Sequence, residues 1–102
     1  MVKGLKKWYI DALEIELLKE QIVFEREKSF NITYSEIILP HKFNADFFVF
    51  DFIILEIKAA FQIHPENFRQ TLNYLKVSQV KLGIIINFGE DKLKFQRVIC
   101  TY

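Results

Sequence analysis

The run Phe43–Ala59, FNADFFVFDFIILEIKA, constrains this chain more than any other stretch. Phe, Val and Ile crowd it and no Gly or Pro interrupts it, a composition that favours extended backbone. The run reads as two strands joined by a tight turn at Asp51. Folding about Asp51 sets residue 49 opposite 53, 48 opposite 54, and 46 opposite 56. Side chains alternate faces along a strand, so Asp46, Glu56 and Lys58 share one face, with the two carboxylates directly across from each other. Cβ atoms of such a pair lie roughly 4.5–5.5 Å apart, and like charges there repel. A fold can keep them if something positive sits between them, and Lys58 and a divalent metal are both candidates.

Magnesium takes oxygen ligands, typically one or two carboxylates together with waters and phosphate oxygens. Asp46, Glu56 and the main-chain carbonyl of Ile57 are candidate ligands of this kind. Lys58 is then placed to orient an attacking water or to steady charge on a phosphate. The same side chains also read as a plain surface trio in which Asp46 and Glu56 share Lys58. Cross-strand charge pairs are common, and spacing alone does not separate the two readings.

At 102 residues the chain predicts one domain, residues 1–102, and its 51% hydrophobic content is enough for a packed core. Eleven Phe suggest a dense interior or an apolar interface. The formal net charge of +1 announces no bulk attraction to nucleic acid, so any phosphate binding must be local. Cys100 stands alone, which excludes an internal disulfide and a cysteine-built zinc site and fits a reducing cytoplasm. Asp51, Glu56 and Lys58 break the longest apolar run, so no membrane span of about 18 residues is predicted. The N-terminal residues show no apolar signal-peptide core.

Around the hairpin, Leu5 to Gln21 reads as a helix with Tyr9, Ala12, Leu13, Glu16 and Leu17 on one stripe. Glu16 is the odd member. Buried, it needs a partner or a metal; at the stripe's edge, it reaches solvent. Ile22 to Thr33 reads as a first strand with a charged middle, and Tyr34 to Lys42 as a connection that Pro40 keeps out of any ladder. His41 in that connection is a solvated loop histidine or a ligand. Pro65 opens a second helix, running to about Ser78, with Glu66 favourable in its first turn. Phe68, Thr71, Leu72 and Leu75 form its core stripe, while Gln70 and Tyr74 share a neighbouring face. His64 precedes it as a cap or solvent residue. Val80 to Phe88 is apolar enough to be buried on both faces, and Lys92 to Ile99 forms a last strand. The helix between the strands of Ile57 and Val80 is a crossover, which makes those strands parallel. The expectation is an α/β sandwich on a mixed sheet.

This order, with Asp on one strand and Glu-x-Lys on the next, resembles the PD-(D/E)XK nuclease-like superfamily. Within it the chain is most similar to the bacterial and archaeal GxxExxY family, through ALEIEL at 12–17, NADFFV at 44–49, IILEIKA at 53–59, QTLNYLK at 70–76 and KLGIIINFG at 81–89. The resemblance implies a restriction-endonuclease-like α-βββ-α-ββ core. It makes Asp46 the metal-binding aspartate, Glu56 and Lys58 the E-x-K pair, and Gln70 a glutamine near the phosphate. Glu16 matches a second acidic position and a further possible ligand, and Tyr74 belongs to the same family run with packing as its alternative role. The implied activity is Mg²⁺- or Mn²⁺-dependent hydrolysis of nucleic-acid phosphodiester bonds. The alternative is a silent nuclease fold serving as a nucleic-acid-binding or protein-interaction module.

Two departures bear on that choice. Counting back from Tyr9, the family's signature Glu falls on Lys6 and its Gly on Lys3. Family members also carry a further helical segment before this motif, so the chain reads as a shortened, fragmentary or degenerate member. An apolar surface left by the missing helix predicts self-association as a homodimer.

Overall fold

The structure is a computed structural model that describes residues 5–101. Lys3, where the sequence pattern sets the family's Gly, lies outside the described residues. The elements follow the expected order: α1 (Leu5–Lys19), β1 (Phe24–Tyr34), β2 (Ile37–Val49), β3 (Ile53–Lys58), α2 (Pro65–Ser78), β4 (Leu82–Asn87) and β5 (Lys94–Ile99). The strands lie in one sheet in sequence order, β1 to β5. Only β3 and β4 are parallel, because α2 carries the chain from one to the other. The other pairs are antiparallel.

The hairpin forms in the register that its sequence predicts, with Phe47 opposite Leu55, Phe48 opposite Ile54 and Val49 opposite Ile53. Its turn puts Phe50 and Asp51 at positive φ (54° and 60°), closed by Phe52 N–H donating to the Val49 carbonyl at 3.1 Å.

The stretch expected to be a connection is instead part of a long hairpin. Tyr34 and Ile37 pair across a two-residue turn, with Ser35 and Glu36 both at positive φ, and β2 starts at Ile37 rather than near Phe43. The turn is of the primed kind normally marked by Gly or Asn, and neither residue type is present to announce it. Pro40 is tolerated because β1 and β2 change register between Asn31 and Thr33, and because β3 pairs only with the far end of β2.

Two apolar layers sandwich the sheet. Leu17 of α1 packs with Phe47, Val49, Leu55, Ile57 and Ile86 on one face. Leu75 of α2 packs with Phe43, Ala45, Phe48, Ile54, Ile85 and Val98 on the other. Ile85 and Ile86 face opposite layers, which accounts for the unbroken apolar run in β4. Gly83 lets α2 lie close on β4, since a Cβ there would meet Thr71 Cγ2 at 3.1 Å and Leu75 Cδ2 at 3.4 Å. On the outer side of the sheet Arg26 of β1 clamps α1, reaching Glu14 Oε2 and Asp11 Oδ1 at 2.7 Å each. That clamp sets the helix whose first turn carries Lys6.

His64 caps α2. Its Nδ1 accepts from Glu66 N–H at 3.1 Å, and the Asn67 side chain accepts from His64 N–H at 2.9 Å. This closes a reciprocal capping box of the kind that satisfies orphan donors at a helix start.

Fully buried Asn87 ends β4. Its Oδ1 accepts from Ala60 N–H (3.0 Å) and Gly89 N–H (3.1 Å), and its Nδ2 donates to the Ala60 carbonyl (3.0 Å) and Glu90 Oε2 (2.7 Å). Removing this amide leaves main-chain groups without partners, and each such group typically costs about 1–3 kcal/mol. Asn87→Ala is therefore expected to lower stability by about that amount or more in urea unfolding, whereas an unchanged midpoint would show that water replaces the amide freely.

Candidate active site

The site grows from a defect in the sheet. Asp46 would pair with Glu27 on one side and Glu56 on the other, yet neither pair forms in the ladders. Glu27 has φ 55°, which breaks the extended run of β1 opposite Asp46. The facing of β2 reverses there: Phe43 and Ala45 belong to the α2 layer, while Phe47 and Val49, also odd-numbered, belong to the α1 layer. The Asp46 side chain takes over where the β2–β3 ladder stops, its Oδ2 accepting Ile57 N–H at 2.7 Å. That bond repairs an otherwise unpaired strand donor and fixes the carboxylate beside β3.

Glu56 follows Leu55 on the central strand and is only 6% exposed. Its Oε1 is buried with no hydrogen-bond partner among the described residues. Burial, the negative charge of Asp46 and a hydrogen bond to the Asp46 carboxylate together push its pKa from 4.5 up to about 8, while Lys58 and Lys6 pull the other way. A desolvated carboxylate next to another prefers to stay protonated.

Asp46, Glu56, Lys58, Gln70 and Tyr74 line one open cleft of about 460 Å³, together with Lys6 and Lys42. The fold thus brings together the hairpin residues singled out in the sequence and Gln70 from α2. Tyr74 lies flat on Phe43, ring centroids 3.9 Å apart, which is a packing contact at the cleft wall. The main chain of Ile57 meets the cleft residue Asp46. Its N–H meets Asp46, whereas the next carbonyl, of Lys58, turns to β4 and accepts Phe88 N–H at 2.9 Å. Donor and acceptor of one strand residue point to the same side, so the Ile57 carbonyl is directed toward the β2 side of β3.

Glu16, the other candidate ligand, is not brought here. It is exposed on α1 and pairs with Lys19 at 3.6 Å. The α1 stripe that packs is Tyr9, Ile10, Leu13 and Leu17, one position aside from Glu16. His41 is exposed on β2 and does not line the cleft.

Lys6 does reach the site, with Nζ 3.3 Å from Asp46 Oδ2. The lysine side chain is 42% exposed, so the pair is a solvent-screened one of the kind worth about 0–1 kcal/mol. It offsets part of the carboxylate repulsion without silencing the cluster, and Glu56 remains shifted despite it.

No group of three or more His, Cys, Asp or Glu side chains is arranged to hold a metal ion among the described residues. Two carboxylates and a carbonyl still match the oxygen donor set of a magnesium ion that keeps several waters. The unpartnered Glu56 Oε1 is the observation that fits such an ion best.

A five-stranded mixed sheet with a helix on each face and an Asp/Glu-x-Lys cluster at a break between two strands defines a nuclease-like α/β fold. A family model described as the PD-(D/E)XK nuclease superfamily matches residues 3–98. The chain belongs to the PD-(D/E)XK nuclease superfamily, and its architecture is the restriction-endonuclease-like fold. Among solved structures, the crystal structure of SSO0001 superposes with a TM-score of 0.75 at 19% identity, over 96% of this chain and 52% of that one. At that identity the likeness concerns the fold, and the chain spans about half the length of the structure it matches. No curated protein matches the chain.

The Glu56 shift carries a pH dependence. Its folded pKa lies above its ordinary value, so its contribution to stability is full below about pH 4.5, declines as pH rises, and is lost above about pH 8. Urea midpoints across this window should fall for the wild type and fall much less for Glu56→Gln. Parallel slopes for the two proteins would place the titrating group elsewhere.

Proposed function

We propose that this protein is a metal-dependent nuclease that hydrolyses nucleic-acid phosphodiester bonds. The reading is carried by one observation: Asp46 and buried Glu56, whose Oε1 has no hydrogen-bond partner among the described residues, share a cleft with Lys58 and Gln70. Asp46, Glu56 and the Ile57 carbonyl would hold Mg²⁺ or Mn²⁺. When bound, the ion supplies Lewis acidity toward a phosphate oxygen and a lowered pKa for water. Asp46 is held for this role by Ile57 N–H. Lys58 is a charged donor for a non-bridging phosphate oxygen or for orienting the attacking water, and the Gln70 amide offers a neutral donor from α2. Burial of Glu56 keeps bulk water from its Oε1, so a cation there meets a weakly solvated anion once the proton leaves.

Lys6 favours a second reading, a catalytically silent fold that binds nucleic acid or protein. Its ammonium already sits against Asp46, where a metal would need the same oxygen.

Membership of a nuclease superfamily supports nucleic acid as the partner. No helix among the described residues is long and apolar enough to cross a membrane. Buried, unpaired Cys100 suits a cytoplasmic setting. Self-association is a further part of the reading, supported by exposed Trp8, Ile15 and Leu18 on α1 and by exposed Phe95 and Ile99 on the edge strand β5. Sedimentation at micromolar concentration should show a species heavier than the 12.2 kDa monomer; a monomer alone rejects the dimer.

Calorimetric titration with Mn²⁺ tests the metal reading. Asp46→Asn should lose binding that the wild type shows, and Lys58→Ala should lose cleavage of plasmid or RNA while keeping its circular dichroism spectrum. Lys6→Glu should tighten Mn²⁺ binding by about tenfold, equivalent to roughly 1.4 kcal/mol, because it replaces a repelling charge with a ligating one. Equal affinities in wild type, Asp46→Asn and Lys6→Glu would sink the metal site, and wild-type cleavage by Lys58→Ala would remove that lysine from the chemistry.

A further inference from the structure

Phe61 is the most exposed of the large hydrophobic residues described, at 87%, and it stands three residues after Lys58. A side chain at the end of such a loop is ordinarily free to fold down. Here its support is rigid. The Asn87 amide makes four hydrogen bonds that tie Ala60 to Gly89 and Glu90, so the loops leaving β3 and β4 are bound together directly beneath Phe61. The two loops approach so closely that a Cβ on Gly89 would lie 2.2 Å from the Ala60 carbonyl oxygen. The fold thus uses a fully buried polar residue and an obligatory glycine to present one phenyl ring to solvent.

The ring borders an open hollow of about 510 Å³, shared with Gly89, Glu90, Asp91, Lys92 and Lys94. Of its two acidic residues, Glu90 turns to Asn87 Nδ2 at 2.7 Å, which leaves Asp91 against two lysines. Phe61 also borders a smaller hollow lined by Leu5, Tyr9 and Phe88. Leu5 adjoins Lys6, which lines the catalytic cleft. The two hollows share Phe61 and Gly89 and lie at the end of the sheet where β3 and β4 finish, the end at which parallel strands commonly present ligands and at which Lys58 enters the cleft.

We infer that Phe61 is a stacking platform for an unpaired base of a nucleic-acid strand, with Lys92 and Lys94 contacting the phosphates beside it. The inference rests on the nucleic-acid reading proposed above and extends it to substrate class: a strand with unstacked bases rather than a closed duplex. An aromatic ring beside lysines is the arrangement that holds single strands without regard to sequence, since every base offers a π-face. The near-balance of charge in the hollow makes stacking, rather than bulk attraction, the main source of affinity.

The test uses the full chain with Ca²⁺ in place of Mg²⁺. The probes are DNA and RNA strands of about 12 nucleotides, within the usual ~4–16-nucleotide span of such sites. Each carries 2-aminopurine, is recovered intact on a gel, and is compared with a blunt duplex. Wild type should bind a single strand more tightly than the duplex and quench the 2-aminopurine. Phe61→Ala and Phe61→Leu should weaken single-strand binding by about 5- to 100-fold and abolish the quench, with unchanged thermal melting. Phe61→Trp should restore both. If wild type binds neither strand nor duplex, the nucleic-acid reading itself fails and the platform with it. If wild type binds strands and Phe61→Ala binds and quenches equally, the platform alone is overturned. The same holds if Phe61→Ala leaves strand binding intact and reduces only self-association, which would assign the ring to a protein contact.

Discussion

The hydrogen bond from Ile57 N–H to Asp46 Oδ2 is the interaction on which the site depends. A strand that loses its neighbour exposes a main-chain donor, and an unpaired buried donor is costly. Here the donor is satisfied by a side chain instead of a strand. That exchange opens the sheet between β2 and β3, fixes a carboxylate at the opening and leaves Glu56 buried behind it. Glu56 Oε1 is left without a hydrogen-bond partner, and the raised pKa of Glu56 follows from burial and from Asp46. The cluster is a stored electrostatic conflict, which a bound cation would relieve under the proposed function. Lys6 relieves it only in part, because its ammonium is exposed to solvent and the pair it makes with Asp46 is screened.

Much of the fold was legible because its strongest signals are local. The register of Phe47, Phe48 and Val49 with Leu55, Ile54 and Ile53 follows from one turn position and a period of two. Pro65 and Glu66 mark the start of α2, and the crossover it makes dictates parallel pairing of β3 and β4. The long β1–β2 hairpin was not legible. Its turn uses Ser35 and Glu36 at positive φ without Gly or Asn, and its second strand contains Pro40, so each local rule argued against it. Tertiary pairing with β1 overrides those preferences.

The site divides in the same way. Asp46, Glu56 and Lys58 are neighbours in a hairpin, so the spacing of residues carries their proximity. Gln70 joins them through the family pattern and the placement of α2. Glu16 lies one position off the packed stripe of α1, a shift of about 100° around a helix that helical spacing alone resolves poorly; the result is an exposed residue bound to Lys19. The reversal of facing at Asp46 was hidden too, since it coincides with the positive φ of Glu27 on another strand. Asn87 sits in an apolar run that gives no hint of its four bonds, and Phe61 looks in sequence like one more core phenylalanine. Both take their meaning from the approach of two loops far apart in the chain.

We propose that Glu56 is held protonated by burial and by Asp46, and that a divalent cation would take the place of its proton. Carbon-13 NMR of the glutamate side-chain carboxyls, assigned with Glu56→Gln, measures this directly. Without metal the Glu56 resonance should titrate near pH 8, and saturating Mg²⁺ should move its midpoint well below neutrality. A midpoint near the ordinary value of 4.5 without metal, or one that Mg²⁺ leaves unmoved, would contradict the account.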